Sequence, residues 1–136
     1  MRVDFSELES LAQSLGVALS GIPESVKRRM LRVVSEKIGG CISKNAKKTG
    51  MLQGPYNADI LAQSVRIKER GGYMEINFAG TQHGNRNAEV AFVNEYGKTQ
   101  QAARPFIARA IEQGMDEAMP ELENILLDYM EDILLR

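Results

Sequence analysis

The sequence predicts an α+β fold in which a small, mainly antiparallel sheet packs against a long helix in the N-terminal half and a second helix at the C-terminal end. Three observations predict it. Apolar residues recur at steps of three to four over 22–47 and again from Pro105 onward, the pattern of helices lying on a core. Between them, 60–70 and 73–78 alternate apolar with polar residues around Gly71-Gly72, which reads as a hairpin whose turn tolerates positive φ. The order helix, hairpin, further strand, helix gathers these elements into one layered unit.

Each element has a local reason. Asp4 or Ser6 can cap a short helix with Glu7 and Glu9 in its first turn, where carboxylates suit the positive helix end. Phe5, Leu8, Leu11 and Leu15 share its inner face, and Gly16 and then Ser20-Gly21 end it. Residues 1–21 are therefore a short helical arm. Pro23 opens a long helix to about Lys47, with Ile22, Val26, Met30, Val33 or Val34, Ile38, Cys41 or Ile42, and Ala46 as its stripe. Within it Gly39-Gly40 costs about 1 kcal/mol per glycine relative to alanine, which predicts a close contact or a kink. Thr49-Gly50 ends it, with lysines near the negative terminus.

Residues 51–59 read as loop, marked by Gly54-Pro55 and Asn57. In the returning arm of the hairpin Met74, Ile76 and Phe78 face one way, and Tyr73, Glu75 and Asn77 the other. The polar, glycine-rich run 80–87 reads as a mobile loop, and the β-rich run 88–93 as a third strand ending near Gly97. Pro105 is best placed as the first residue of a helix, since it has no N–H to lose. From there a stripe of Ile107, Ile111, Met115, Ala118 or Met119, Leu122, Ile125 or Leu126, Tyr129, Ile133 and Leu134 continues across Pro120. That proline predicts either one bent helix or two. In the last turns Leu126 with Leu127, Met130, and Leu134 with Leu135 give apolar surface on more than one side, which suggests a partner subunit.

Bulk properties bound the function. A chain of 136 residues is the size of one domain and buries about two-thirds of its unfolded surface. The division expected is arm 1–21, core 22–120 and C-terminal helical extension 121–136. With 43% hydrophobic and 26% charged residues the chain is of ordinary globular composition. It has no run near the roughly 20 apolar residues a membrane span needs, and no signal-peptide core at its start. No membrane partner is expected, and a single cysteine fits a reducing compartment. The net charge of −1 hides a segregation: 24–48 carries eight basic and two acidic residues, +6, while 112–136 carries eight acidic and one basic, −7. Such segments attract each other, within a subunit or between subunits. Lys27, Arg28, Arg29, Arg32, Lys44, Lys47 and Lys48 are the candidates for an interface or phosphate contact, and Glu117, Glu121, Asp128 and Asp132 for an acidic interface.

Two short blocks carry a resemblance. Asn94-Glu95-Tyr96-Gly97, followed by Ala103-Arg104-Pro105-Phe106-Ile107 and Ala110, resembles the Glu-aromatic-Gly and Ala-Arg-Pro-Phe-Leu-x-x-Ala signature of small tailed-bacteriophage virion proteins. These are the head–tail connector, neck or tail-completion proteins of phages and prophages. Upstream, Thr49-Gly50-Met51-Leu52 matches the family's Thr-Gly-x-Leu at the end of a basic helix. The likeness spans roughly 24–120. The chain departs from the family where a Ser-Ile or Ser-Leu pair usually follows the leucine by three residues: its nearest equivalent is Ser64-Val65, across an inserted loop at 53–60.

The resemblance implies a non-enzymatic structural component of a virion, made in the host bacterial cytoplasm. It would join a homo-oligomeric ring at the head–tail junction, assembling there if not in solution, and meet other head–tail junction or tail proteins. It also implies that Glu95, Tyr96 and Gly97 shape a corner which Arg104, Pro105 and Phe106 anchor, guanidinium to a carboxylate or carbonyls and ring into the core.

The residues offer little other chemistry, and neither a cofactor nor a metal is expected. His83, the one histidine, has no Asp, Cys or second His at ligand spacing. Cys41 lies on an apolar stripe as a small hydrophobe. Gly80 to Gly84 lacks the Gly-Lys-Ser/Thr ending of a phosphate loop, and Glu95 has no paired carboxylate for acid–base work. A hydrolase or toxin lacks a visible nucleophile, base and orienting group. The remaining alternative is a nucleic-acid-binding accessory protein using the basic helix 23–48. Packaged DNA in a connector channel would be one such contact, though no aromatic interleaves its cations.

Overall fold

The computed structural model describes residues 1–4, 9, 21–48, 56–97, 103 and 105–135. Helix α1 (Glu24–Lys47) is the central element, and Pro23 stands at its N-cap position. Its buried residues cover half the helix circumference. Leu31, Ser35, Gly39, Ile42 and Ala46 lie toward the sheet, and Met30, Val34, Ile38, Cys41 and Asn45 lie toward the C-terminal helix. A one-sided stripe widens into two faces because α1 has a neighbour on each.

The sheet is β1 (Arg2–Val3), β2 (Val65–Arg70) and β3 (Tyr73–Phe78) in the antiparallel order β1-β3-β2. Its register pairs Val65 with Phe78, Ile67 with Ile76, and Val3 with Met74. All six therefore share the inner face, and Val3, Met74 and Ile76 are buried. Gly39 is the closest approach of α1 to that face, since a Cβ there would lie 2.9 Å from Ile67 Cδ1. The expectation of a close contact at Gly39-Gly40 thus has its cause in the first glycine alone. The outer face is polar: Arg2 stacks on the Tyr73 ring at 4.0 Å, and Arg70 pairs with Glu75 at 2.9 Å.

The C-terminal helix, α4 (Phe106–Leu134), runs unbroken through Pro120. It lies antiparallel to α1: Asn45 reaches Phe106 and Gln113, Lys37 reaches Glu121, and Tyr129 reaches Gly21. Its buried line is Phe106, Ala110, Gly114, Ala118 and Leu122, a row at steps of four in which three members are small. A Cβ on Gly114 would sit 2.6 Å from the Ile38 Cα, so the two backbones touch. Ile107, Ile111 and Met115, expected as the stripe, flank this line half-buried. Because Leu122, Ile125 and Leu126 are buried too, the core continues past residue 120.

Four expectations are corrected. The third strand expected at 88–93 is a helix, α3 (Asn87–Tyr96), whose buried residues Asn87, Val90, Ala91, Asn94 and Glu95 are spaced at three to four. The strand that does complete the sheet is Arg2–Val3, in the arm read as helical; residues 5–8 and 10–20 of that arm lie outside the described residues. The strand expected from Ile60 begins at Val65, because Asn57 caps a short helix, α2 (Ala58–Gln63), by accepting from Asp59 N and Ile60 N. Finally, 80–87 is not a loose loop. It forms a hairpin of β4 (Thr81–Gln82) and β5 (Asn85–Arg86), and its turn residues His83 and Gly84 have φ of 49° and 76°, the two positive values a tight hairpin turn requires.

Candidate functional site

The two motif blocks meet through one carboxylate. Pro105 occupies the N-cap position of α4 and has no side-chain acceptor for the first-turn N–H groups, which no intrahelical partner satisfies. Glu95, in the last turn of α3, supplies it. One carboxylate oxygen accepts from Ile107 N at 2.7 Å and the other from Ala108 N at 3.1 Å. A negative group at a helix N-terminus is also favoured by the helix dipole. Only 7% of Glu95 is exposed, so water competes little for these bonds.

The rest of the corner follows from this clasp. Gly97 ends α3 at φ 77°, a conformation open to glycine and strained for residues with a Cβ. Phe106 is buried edge-on to Phe78, with ring centroids 6.3 Å apart, and its carbonyl accepts from Asn45 Nδ2 at 3.1 Å. Tyr96, expected with Glu95 and Gly97 to shape the corner, lies at the surface. It is 68% exposed and its ring lies tilted against that of Phe92, itself 61% exposed, with centroids 4.8 Å apart. As α3 is a helix, Tyr96 falls one turn after Phe92 on the same exposed face. Arg104 and the helix-end residues Thr49, Gly50 and Leu52 lie outside the described residues.

A second polar cluster went unread in the sequence. Gln82, buried, accepts from Asn57 N at 2.7 Å and donates to Asn87 Oδ1 at 2.8 Å. Asn87 in turn donates from Nδ2 to Ala79 O, and from its backbone to Gly80 O. These bonds tie α2, the β4–β5 hairpin and the start of α3 into one network, and such networks specify geometry when every member is satisfied. His83 caps this region at the surface, edge-on to Tyr56.

The charged candidates divide. Lys37, on α1, pairs with Glu121 of α4 at 3.0 Å, and that hydrogen bond raises the lysine pKa above its usual value. Part of the segregated charge is thus matched inside the subunit. Arg32 reaches Glu69 at 3.3 Å, and Arg28 and Arg70 line one small hollow at the edge of β2. Lys44, Lys47 and Lys48 are exposed at the other end of α1, while Asp128, Glu131 and Asp132 are exposed near the end of α4. Cys41 is buried, and burial first, with Glu117 second, pushes its thiol pKa up. Among the described residues no group of His, Cys, Asp and Glu is placed to hold a metal, and no helix is long and apolar enough to cross a membrane.

Among the described residues, apolar surface lies open in two regions. Beside the Phe92–Tyr96 pair lies a half-open hollow of about 190 Å³, walled by Ile42, Ile76, Phe78, Ala88, Ala91 and Ile107. At the far end of α4, Leu127, Met130 and Leu134 form an exposed stripe, with Ile133 and Leu135 beside it.

Comparison with protein-family models, with curated proteins and with solved structures finds no match to this chain.

Proposed function

We propose that this protein is a non-enzymatic structural component of a tailed phage or prophage virion. On this reading it is made in the host bacterial cytoplasm and acts at the head–tail junction, as a neck or tail-completion subunit in an oligomeric ring. One observation carries the reading. The Glu95 carboxylate, inside the motif that resembles that family, is occupied by the N–H groups of Ile107 and Ala108, so the motif's acid works as a joint between helices. What such a rigid joint leaves for function is surface: basic on α1, acidic and apolar at the end of α4. A ring requires unlike patches to meet, and oppositely charged ends steer them together. Deleting the gene from an inducible prophage should give filled heads and separate tails in negative-stain micrographs. Intact infectious particles would refute the reading.

A second reading is favoured by the cations of β2. Arg66, Lys68 and Arg70 are exposed on the strand beside α1, and with Arg28, Arg29 and Arg32 they extend a mainly basic surface around the sheet edge that suits a nucleic-acid backbone, although Arg32 and Arg70 each also pair with a glutamate there. This reading predicts duplex-DNA binding whose salt slope falls by about one unit for each contacting cation removed. A slope unmoved by charge removal at Arg28, Arg29 and Arg32 would reject it.

A further inference from the structure

We propose that the apolar end of α4 in one copy seats in the hollow beside Phe92 and Tyr96 of a second copy, giving a head-to-tail contact. Both surfaces are mainly apolar and open in the single chain, with Asn77 and Met1, whose N-terminal ammonium bonds Ile76 O, as the polar part of the hollow's lining. Leu134 and Leu135 are 80% and 85% exposed, and Leu127 and Met130 about half. Five large apolar side chains so exposed offer on the order of 600 Å² spread over more than one side of the helix, against the ~800 Å² each partner gives to a stable interface. The hollow, at about 190 Å³, is roomier than the ~150 Å³ apolar cavity that takes benzene, so one leucine side chain fits.

Geometry excludes the chain's own tail as the occupant. Ile107 walls the hollow and Leu134 lies on the same unbroken helix. At 1.5 Å rise per residue the two are about 40 Å apart, and a helix docked along α1 cannot fold back on its own start. The tail therefore enters only another molecule's hollow.

Charge agrees with this direction. The hollow sits where α1 ends and α4 begins, the end of the molecule that bears exposed Lys44, Lys47 and Lys48, whereas the tail bears exposed Asp128, Glu131 and Asp132. The tail itself is thus acidic and apolar and the last turns of α1 beside the hollow are basic, although Arg28, Arg29 and Arg32 near the start of α1 and Glu89 and Glu112 near the hollow dilute the contrast between the two ends. The contact is heterologous, so it builds a ring or an open row according to the rotation per step.

This inference deepens the assembly reading by naming its contact, and it can fail while that reading stands, since the deletion phenotype does not depend on which surfaces touch. The test is sedimentation equilibrium of the full chain and two variants. Leu127→Gln with Leu134→Gln disables the tail; Phe92→Gln with Tyr96→Gln disables the hollow. All four positions are exposed, and circular dichroism checks the fold. Wild type should grow beyond a dimer with concentration, and each variant alone should associate at least about tenfold more weakly. Mixing the variants leaves one intact tail and one intact hollow, and should yield a one-to-one heterodimer. A wild type that stays monomeric, a hollow variant that associates like wild type, as a two-fold tail-to-tail contact would allow, or a mixture that forms no heterodimer would each overturn the proposal.

Discussion

Three glycines in two packed helices should respond to the same substitution with three different signs. An alanine in a helix interior is favoured over glycine by about 1 kcal/mol, and the surroundings decide what is left of that gain. At Gly114 the added Cβ would lie 2.6 Å from Ile38 Cα and 2.7 Å from Ile38 N, against ~3.5–4.0 Å for a relaxed contact. Both atoms are backbone, so no rotamer change relieves them, and α1 and α4 must part by about 1 Å along the line of Ala110, Ala118 and Ile38. Overpacking of this kind costs about 1–3 kcal/mol, and with no flexible atom to yield the upper figure applies, for a net loss of about 2 kcal/mol. At Gly40 nothing lies within 4 Å, so Gly40→Ala keeps its gain of about 1 kcal/mol. At Gly39 the obstacle is the tip of Ile67, which can turn, and gain and cost should nearly cancel. Urea unfolding at constant m reads all three, and each kcal/mol should move the melting temperature by about 4 °C in a chain of this size. If Gly114→Ala is as stable as wild type, or Gly40→Ala is no more stable than Gly114→Ala, the close-packed seam is wrong.

Glu95→Ala should cost about 2 kcal/mol, because it leaves the Ile107 and Ala108 N–H groups without an acceptor at a largely buried helix start; Glu95→Gln keeps one acceptor and should recover part. Hydrogen exchange at those two amides should quicken in the alanine variant, and unchanged exchange would show that Glu95 is not the cap. Glu75 should titrate below its ordinary value of 4.5, because hydrogen bonds from Asn77 first and Arg70 second favour its charged form. The stability this gives is present above that ordinary value and fades as pH falls through the lowered one. Asn77→Ala should raise the Glu75 midpoint in a carboxyl-carbon NMR titration, and an unmoved midpoint would remove Asn77 as the cause.

What was legible in the sequence is what short-range physics determines. Helix α1 is bounded by Pro23 and carries its own stripe, and the β2–β3 hairpin declares itself by alternation about Gly71-Gly72. Helix α3 was misread because Val90 to Val93 is a continuous apolar run, which has no period to separate strand from helix, and because its buried face includes Asn87, Asn94 and Glu95. Strand β1 is two residues long and exists by virtue of its pairing with Met74 and Glu75, a partner remote in sequence. The seam of α4 was missed for a different reason. Hydrophobic patterning weights Ile107, Ile111 and Met115, whereas the closest packing needs the least side chain, at Ala110, Gly114 and Ala118. Within the site, Glu95 and Phe106 were named from the motif, but the bond from Ile107 N to Glu95 joins two helices that no local pattern links.

The seam and the corner also bear on assembly. Docking along α1 makes α4 a single rod of 29 residues, about 44 Å long at 1.5 Å per residue, and so fixes the distance between the two apolar surfaces. A looser pair of helices would let the tail fold over its own subunit. The Glu95 clasp acts at the opposite end of the rod, where it holds the turn that carries Ile107, one wall of the hollow. On the head-to-tail contact proposed above, Glu95→Ala therefore weakens association as well as folding, and does so on the hollow side alone. The tail of a Glu95→Ala copy should still enter a wild-type hollow, whereas a wild-type tail should bind the Glu95→Ala hollow less well. A purely structural loss of stability would impair both directions alike.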